Sequence, residues 1–331
     1  MKNNCKLCEK VDKKIIIAPK RNISKLLIEL TRNCNMKCIH CCNYGDTYQY
    51  KMTFDEYEYT VKSYFSSMKI EEIILSGGEI FTVPEIIKIL DFTGKFFSHS
   101  NIKILTNGTI FNQEILRILI KWNITVQITL NGHNNLIDAK IRGTGFNKTI
   151  QTIETLISNL NKDRVIVASV INKINIDYIE DFVLFLEELN VRNVQFTYVY
   201  NVGRARDNWE NVGLTLLEKR DALIKLSAIS RKYFGRINIH TSGMHHFLSE
   251  IQINGVNNFN CKLLTEEFVV DTKKNGVYCY RIDNYLRCHN LDFPHFSDYL
   301  NTTNPVQVEF LVKDECENCE NKKGCILGCI G

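Results

Sequence analysis

The stretch LLIELTRNCNMKCIHCC, residues 26–42, joins a short apolar run to four cysteines. Its first five residues are typical of a buried β-strand, and the cysteines follow where that strand ends. Cys34, Cys38 and Cys41 are separated by three and two residues, so their thiolates can converge from one loop on one metal centre. A [4Fe–4S] cube normally takes four cysteines, so a set of three leaves one iron open to a ligand that is not protein. A three-cysteine zinc site is the alternative, although zinc sites usually pair their ligands in two knuckles.

The next 160 or so residues repeat a strand-and-helix pattern. Strands are predicted at 26–30, 72–75, 102–105, 124–130, 165–170 and 194–200. Helices are predicted at 53–68 with a Thr53/Glu56 capping box, after Pro84, and at 112–121, 147–160, 175–190 and 214–233. Because the apolar runs lack period-two alternation, we expect strands covered on both faces. Right-handed crossovers then predict an α/β fold, a partial (β/α)6 TIM-like barrel with functional groups at the carboxyl ends of its strands.

The composition excludes several function classes. The 331 residues are 44% hydrophobic and 24% charged, as in an ordinary globular protein. A net charge of +4 without a basic run does not favour nucleic-acid binding. Neither a membrane span nor a signal peptide is evident, so we expect a cytoplasmic protein. Thirteen cysteines in a reducing compartment point to metal or catalysis rather than to disulfides.

The last hundred residues differ in character from the rest. Seven of the thirteen cysteines fall between Cys261 and Cys329, where secondary-structure periodicity is weak. A small loop-rich domain held together by metal fits such a segment. We therefore predict an N-terminal tail at 1–22, the barrel at 23–233 and a cysteine-rich domain at 234–331.

Further motifs stand at the ends of the predicted strands, in the order Ser76-Gly77-Gly78-Glu79, Thr106-Asn107-Gly108, Thr129-Leu130-Asn131-Gly132, Arg142-Gly143-Thr144-Gly145-Phe146 and Gly203-Arg204-Ala205. With the cysteine triplet, they resemble the radical S-adenosylmethionine (SAM) superfamily. The resemblance implies S-adenosylmethionine as the ligand of the open iron. It implies these cofactor-binding residues: His40, Gly77, Gly78, Glu79, Asn107, Thr129 and Arg142. Glu79 would complement the ammonium group, Thr129 and Arg142 the ribose and carboxylate, and His40 the adenine.

The C-terminal run Cys316-x2-Cys319-x5-Cys325-x3-Cys329 is similar to the SPASM extension of that superfamily, which carries two auxiliary [4Fe–4S] clusters. The resemblance assigns Cys316, Cys319 and Cys325 to the distal cluster. It assigns Cys261, Cys279 and Cys329 to the nearer cluster, which Cys288 could complete. A further cysteine that usually follows the run is missing before Gly331. Cys5 and Cys8 could reach the distal cluster or could be unused thiols of a tail; a pair of zinc knuckles is the alternative to both clusters.

SPASM relatives mostly act on peptides or proteins, so the resemblance implies maturation of a ribosomally made peptide by crosslinking, oxidation or epimerisation. It also implies a flavodoxin- or ferredoxin-type electron donor. The barrel begins near residue 24, so we expect any leader peptide to be bound by another surface or by a separate protein. The candidate hydrogen-atom donors are Cys42, Cys261 and Cys288, although a small buried apolar residue is the simpler interpretation of Cys42.

Two groups of alternatives stay open. Within enzymes, the chain could oxidise a protein side chain as sulfatase-maturing enzymes do, or dehydrogenate a small molecule. Outside enzymes, it could be an iron–sulfur electron carrier or a zinc-binding interaction module. The motifs that follow the cysteine triplet argue against both of the latter, because neither needs a cofactor pocket.

Overall fold

The computed structural model of the chain describes residues 11–18, 23–43, 49–242, 267–272, 275–277, 287–290 and 306–313. Its strands in these ranges are β1 Val11–Ala18, β2 Lys25–Thr31, β3 Glu72–Gly77, β4 Asn101–Thr106, β5 Thr125–Thr129, β6 Val165–Ile171, β7 Asn193–Tyr198, β8 Asn238–Thr241, β9 Glu267–Val270, β10 Asn275–Val277, β11 Arg287–Asn290 and β12 Val306–Lys313. Its α-helices there are α1 Phe54–Phe65, α2 Ile86–Phe96, α3 Gln113–Lys121, α4 Asn135–Arg142, α5 Phe146–Asn159, α6 Ile179–Glu188, α7 Arg204–Asp207, α8 Trp209–Val212 and α9 Leu216–Lys232.

The described strands form one large sheet and a separate antiparallel pair of β1 with β12. The order in the large sheet is β11-β10-β9-β2-β3-β4-β5-β6-β7-β8. Every neighbouring pair from β9 through β2 to β8 is parallel, and β10 pairs antiparallel with β9 and with β11. The six predicted barrel strands correspond to β2–β7, so the predicted α/β partial barrel is confirmed.

Two parallel strands flank the six that the sequence predicts. β8 lies beside β7, and β9 lies beside β2. Each has four residues, β8 contains a single apolar one, and β9 comes from the cysteine-rich segment, where periodicity is weak. The sheet therefore continues past residue 233, while the three domain boundaries themselves stay predictions.

The helices begin where local side-chain chemistry starts them. Thr53 accepts a hydrogen bond from the backbone of Glu56, whose carboxylate accepts one from Thr53 N, so the predicted capping box of α1 is confirmed. The eight-residue helix α4, capped by Asn134, is not predicted, although it carries Arg142. No helix in the described ranges is long and apolar enough to cross a membrane.

The expectation of strands covered on both faces is met in β2 and β3, where four and three consecutive residues are buried. In β6, buried residues alternate with half-buried ones. A cavity of about 140 Å³ is lined by residues of β2–β5, β7 and β9, and its polar lining includes Lys25, Lys103, Gln127 and Gln195. Glu72 pairs with both lysines there, at 3.1 Å from Lys25 Nζ and 2.9 Å from Lys103 Nζ. A barrel with polar groups inside it can receive a polar molecule.

Candidate functional site

The loop after β2 carries Cys34, Cys38 and Cys41, all half-buried and none in a disulfide. It lies at the carboxyl edge of the parallel strands, as predicted. In the described part of the chain, no three His, Cys, Asp or Glu side chains are placed to share one metal ion. A zinc site gathers its thiolates around a single ion, whereas a cube binds each cysteine through a different iron. The three thiolates of this loop are donors that either kind of centre can use.

Cys42 is exposed, so the prediction that it is a buried apolar residue was wrong. Its backbone, however, is enclosed. A Cβ atom placed on Gly203 would lie 2.2 Å from Cys42 O, and Ala205 N donates a hydrogen bond of 3.1 Å to Cys41 O. The Gly203–Ala205 motif after β7 thus contacts the cysteine loop and holds its last residues in place.

The carboxyl end of α4 contacts the middle of the same loop. Ile39 N donates a hydrogen bond of 2.9 Å to Ile141 O, and the Cys38 thiol lies 4.0 Å from Arg142 O. These contacts join residues about a hundred positions apart. Helix α4, which the sequence does not predict, therefore helps to position the cysteine loop.

Gly77 and Gly78 allow a close approach of two stretches of backbone. Gly78 N donates to Thr31 O at 2.8 Å, and Glu79 N donates to Asn33 O at 2.8 Å. A Cβ atom on Gly78 would lie 2.2 Å from Asn33 O. The sequence suggests that this pair lets backbone approach a ligand. In the structure, the space that the missing side chains leave is filled by the chain entering the cysteine loop.

We expect Gly78→Ala to displace the cysteine loop, because the new methyl group would overlap main-chain oxygen atoms that no side-chain rotation can move. The reconstituted variant should bind up to about four fewer iron per chain than the parent, the content of the loop's cube among about twelve in all, alongside a stability loss of about 1–3 kcal/mol. Gly94→Ala is the matched control: its Cβ would lie 2.1 Å from Trp122, remote from the loop. It should lose stability yet keep its iron, and equal iron loss in both variants would contradict the prediction.

Glu79 is a fully buried carboxylate at the centre of the site. Its oxygens accept hydrogen bonds from Asn107 N at 2.7 Å, Thr106 Oγ1 at 2.8 Å and Phe81 N at 3.1 Å. Burial raises the pKa of Glu79, and those hydrogen bonds oppose the rise. A buried carboxylate with a raised pKa favours a cationic neighbour, as the predicted ammonium contact requires.

Arg142 is almost fully buried, at 1% exposure. Its Nη2 donates to Asn107 O at 2.7 Å, and its Nη1 lies 3.5 Å from Asp138 Oδ2. The Nε of Arg142 has no hydrogen-bond partner among the described residues. A buried guanidinium with a donor to spare is suited to an anionic group such as a carboxylate.

His40 and Thr129 complete the predicted cofactor residues. Burial and the nearby Arg142 guanidinium lower the pKa of His40 to about 4, so the imidazole is neutral at neutral pH. Thr129 ends β5 with a half-buried side chain. Asn131 accepts a hydrogen bond of 2.8 Å from Val170 N through its Oδ1. Its amide therefore ties the ends of β5 and β6 together.

The thiols of the loop need a positive partner in order to ionise. Burial raises the pKa of the Cys38 thiol to about 12, and it also raises the pKa of Cys34. Iron supplies the positive charge that a buried thiolate lacks, because metal ligands bind in the deprotonated form. Three half-buried thiols in one loop thus fit a cluster. The unpaired Nε donor of Arg142 and the buried carboxylate of Glu79 fit a zwitterionic cofactor beside that cluster.

The structure places one of the remaining predicted metal ligands. Cys288 lies on β11, and the others fall outside the described residues: Cys5, Cys8, Cys261, Cys279, Cys316, Cys319, Cys325 and Cys329. The auxiliary clusters therefore stay predictions.

Sequence reasoning missed three contributors to the site: Asn35, Thr109 and the pairing of Asp138 with Arg142. Asp138 lies in the sequence between the Thr129–Gly132 and Arg142–Phe146 motifs. Its spacing of four residues from Arg142 on one helix was a usable signal, since such residues lie on the same face. Asn35 and Thr109 had no such signal, because only the fold brings their loops together.

The parallel partial barrel carries a three-cysteine loop at the carboxyl edge of its strands. This arrangement is suited to a protein that binds an iron–sulfur cluster at that edge. Residues 28–186 of the chain match the family model of the radical SAM superfamily.

Two curated relatives and one solved structure extend that finding. Over 184 residues the chain is 31% identical to the antilisterial bacteriocin subtilosin biosynthesis protein AlbA of Bacillus subtilis, covering 54% of this chain and 40% of AlbA. Over 227 residues it is 26% identical to the mycofactocin maturase MftC of Mycolicibacterium smegmatis, covering 65% and 55%. The chain thus spans about half the length of these relatives. Streptococcus suis SuiB, with a TM-score of 0.69 at 15% identity over 92% of this chain and 72% of SuiB, shares the fold.

Proposed function

We propose that the chain is a radical SAM enzyme that modifies a ribosomally made peptide. The three-cysteine loop carries the proposal, because three thiolates leave one iron of a cube free for S-adenosylmethionine. The substrate class rests on the relatives, of which one is named for subtilosin biosynthesis and another as a mycofactocin maturase. The product is a crosslinked, oxidised or epimerised peptide, and the enzyme class is oxidoreductase.

Different residues around the loop would hold the cluster and S-adenosylmethionine. Cys34, Cys38 and Cys41 would bind the cluster, and Gly77 and Gly78 bring the chain of β3 against that loop. Together, the bound cluster and S-adenosylmethionine supply hydrogen-atom abstraction from an unactivated carbon. Four residues would hold S-adenosylmethionine by charge or shape: Glu79 its ammonium, Arg142 its carboxylate, His40 its adenine and Thr129 its ribose. Asn107, whose backbone is bonded to both Glu79 and Arg142, would hold those two side chains beside the cofactor.

The open interior of the barrel suits a peptide. Gln127 and Gln195 place carboxamide groups in the cavity, and carboxamides both donate to and accept from peptide backbone. The lysines beside them are held by Glu72, so the cavity is polar without a strong charge of one sign.

The C-terminal cysteines extend the proposal to two auxiliary clusters, ligated as the sequence resemblance implies. An auxiliary cluster could accept the electron of a substrate radical, which makes the net reaction an oxidation. A flavodoxin- or ferredoxin-type protein would supply electrons in a reducing cytoplasm, and a separate protein would bind the leader peptide.

The test is anaerobic reconstitution of the full chain, followed by reduction with dithionite in the presence of S-adenosylmethionine. We expect formation of 5′-deoxyadenosine and about twelve iron and twelve sulfide per chain, for three cubes. With a precursor peptide encoded beside the gene, we expect loss of two hydrogen atoms for a crosslink or an oxidation. Deuterium uptake from solvent without loss of hydrogen indicates epimerisation. An intact loop cluster without 5′-deoxyadenosine overturns the proposal, and zinc in place of iron favours a binding module.

A further inference from the structure

The side-chain amide of Asn107 lies against Cys34, the first cysteine of the loop. Its Nδ2 is 3.8 Å from Cys34 Sγ and 2.9 Å from Asn35 Oδ1. An amide N–H directed at a cysteine sulfur is a hydrogen-bond donor to that sulfur. Asn107 follows β4, seventy-three residues along the chain from Cys34, so the fold and not the local sequence makes this contact.

The orientation of the amide is fixed by its other atom. Asn107 Oδ1 accepts hydrogen bonds from Thr109 N at 2.9 Å and from Thr109 Oγ1 at 2.6 Å. A backbone N–H can only donate, so the carbonyl oxygen must face Thr109 and the amino group must face the sulfur. Asn35 confirms the assignment, since its Nδ2 donates to Thr109 Oγ1 at 2.9 Å while its Oδ1 accepts from Asn107.

The backbone of Asn107 is held as firmly as its side chain. Asn107 N donates to Glu79 Oε2 at 2.7 Å, and its carbonyl oxygen accepts from Arg142 Nη2 at 2.7 Å and Thr149 Oγ1 at 3.0 Å. The residue is 9% exposed. Every polar atom of Asn107 is therefore engaged, and a rigid donor costs no reorganisation when charge changes at the sulfur.

We propose that Asn107 is a positioning residue that raises the reduction potential of the cluster at Cys34, Cys38 and Cys41 through an N–H···S hydrogen bond to Cys34. The inference rests on the proposed function, because it requires that cluster. A donor to sulfur stabilises the more negatively charged state, so it favours the cluster that has taken up an electron.

Asn107→Leu tests the inference, because leucine has a similar size and no donor. The experiment is a redox titration of the reconstituted full chain followed by electron paramagnetic resonance, using the signal that Cys34→Ala removes. We expect the ratio of reduced to oxidised cluster at a fixed potential to fall about tenfold, a shift of about 59 mV to lower potential for one electron. Asn33→Leu is the matched control. It makes the same substitution beside Cys34, but Asn33 Nδ2 donates to Gln49 Oε1 and not to sulfur, so the potential should not change.

Thr109→Val is the second variant, and it decides the matter if Asn107→Leu fails to assemble the cluster. It removes one of the two bonds that hold the Asn107 amide, so we expect a smaller shift in the same direction. An unchanged potential in Asn107→Leu overturns the inference, and so does an unchanged potential in Thr109→Val where the leucine variant lacks the signal that Cys34→Ala removes. Iron and sulfide content in the parent tests the proposed function separately. A parent without a cluster therefore fails for a different reason from a variant whose cluster keeps its potential.

Discussion

Cys38→Ala is expected to abolish 5′-deoxyadenosine formation, while Cys42→Ala leaves it within about twofold of the parent. Cys38 is half-buried in the loop, and its sulfur lies against the end of α4. Without that thiolate, a cube held by one loop keeps only two protein ligands. The loss should exceed about a hundredfold, the upper end of what loss of an outer-shell partner alone produces at metal sites.

The comparison with Cys42 makes this test specific. Both residues are cysteines of the same loop, but Cys42 is exposed. A general sensitivity of the loop to lost thiols would affect both variants, whereas loss of a cluster ligand affects only Cys38. The measurement is the amount of 5′-deoxyadenosine formed per chain, and the iron content of each variant is determined separately. Equal activity in Cys38→Ala and the parent would mean that the loop does not hold the cluster.

The Cys42 variant also tests a prediction that the structure leaves open. If Cys42 returns a hydrogen atom to the substrate radical, its alanine variant should still form 5′-deoxyadenosine but should not epimerise a peptide. Normal deuterium uptake into the peptide by Cys42→Ala would remove this residue from the candidate donors.

The parts of the fold that sequence predicts are those specified by neighbours along the chain. The apolar runs of β2 and β6, the capping pair Thr53 and Glu56, and the cysteine spacing are local patterns, and the structure has the corresponding elements where they were expected. β8 was not predicted because it contains only one apolar residue, and β9 because it lies in the cysteine-rich segment, where periodicity is weak. Their places are set by pairing with β7 and β2, which is a property of the assembled sheet.

The candidate site divides in the same way. Its residue types follow from motifs, but its contacts do not. Glu79 was expected to face a ligand, and no local pattern shows that Thr106 and Asn107 would also hold its carboxylate. The paired glycines were expected to approach a ligand, which stays a prediction, and they also admit the backbone at Asn33. Such roles depend on which loops meet at the sheet edge, so they require the three-dimensional arrangement.

The largest effect on stability is expected from the buried pair of Arg142 and Asp138. Both side chains are almost fully buried, with Arg142 Nη1 3.5 Å from Asp138 Oδ2. Arg142→Met should lower the free energy of unfolding by about 3–5 kcal/mol, because it leaves a buried carboxylate without its counter-charge. Lys225→Met is the matched control. It breaks an exposed pair with Asp177 and should change stability by no more than about 1 kcal/mol in the same urea titration.

The pH dependence identifies the cause of that loss. Burial already raises the pKa of Asp138 and Arg142 opposes the rise, so removing the guanidinium should raise this pKa further. A carboxyl whose pKa is higher in the folded state than in the unfolded state destabilises the protein when ionised, and that cost disappears as pH falls through the folded-state pKa. Arg142→Met should therefore recover stability on acidification relative to the Asp138→Asn/Arg142→Met double variant, in which the carboxyl is absent and the acceptor for Asn131 N is kept. Parallel stability curves for the two would show that lost packing, and not an unpaired charge, destabilises the single variant.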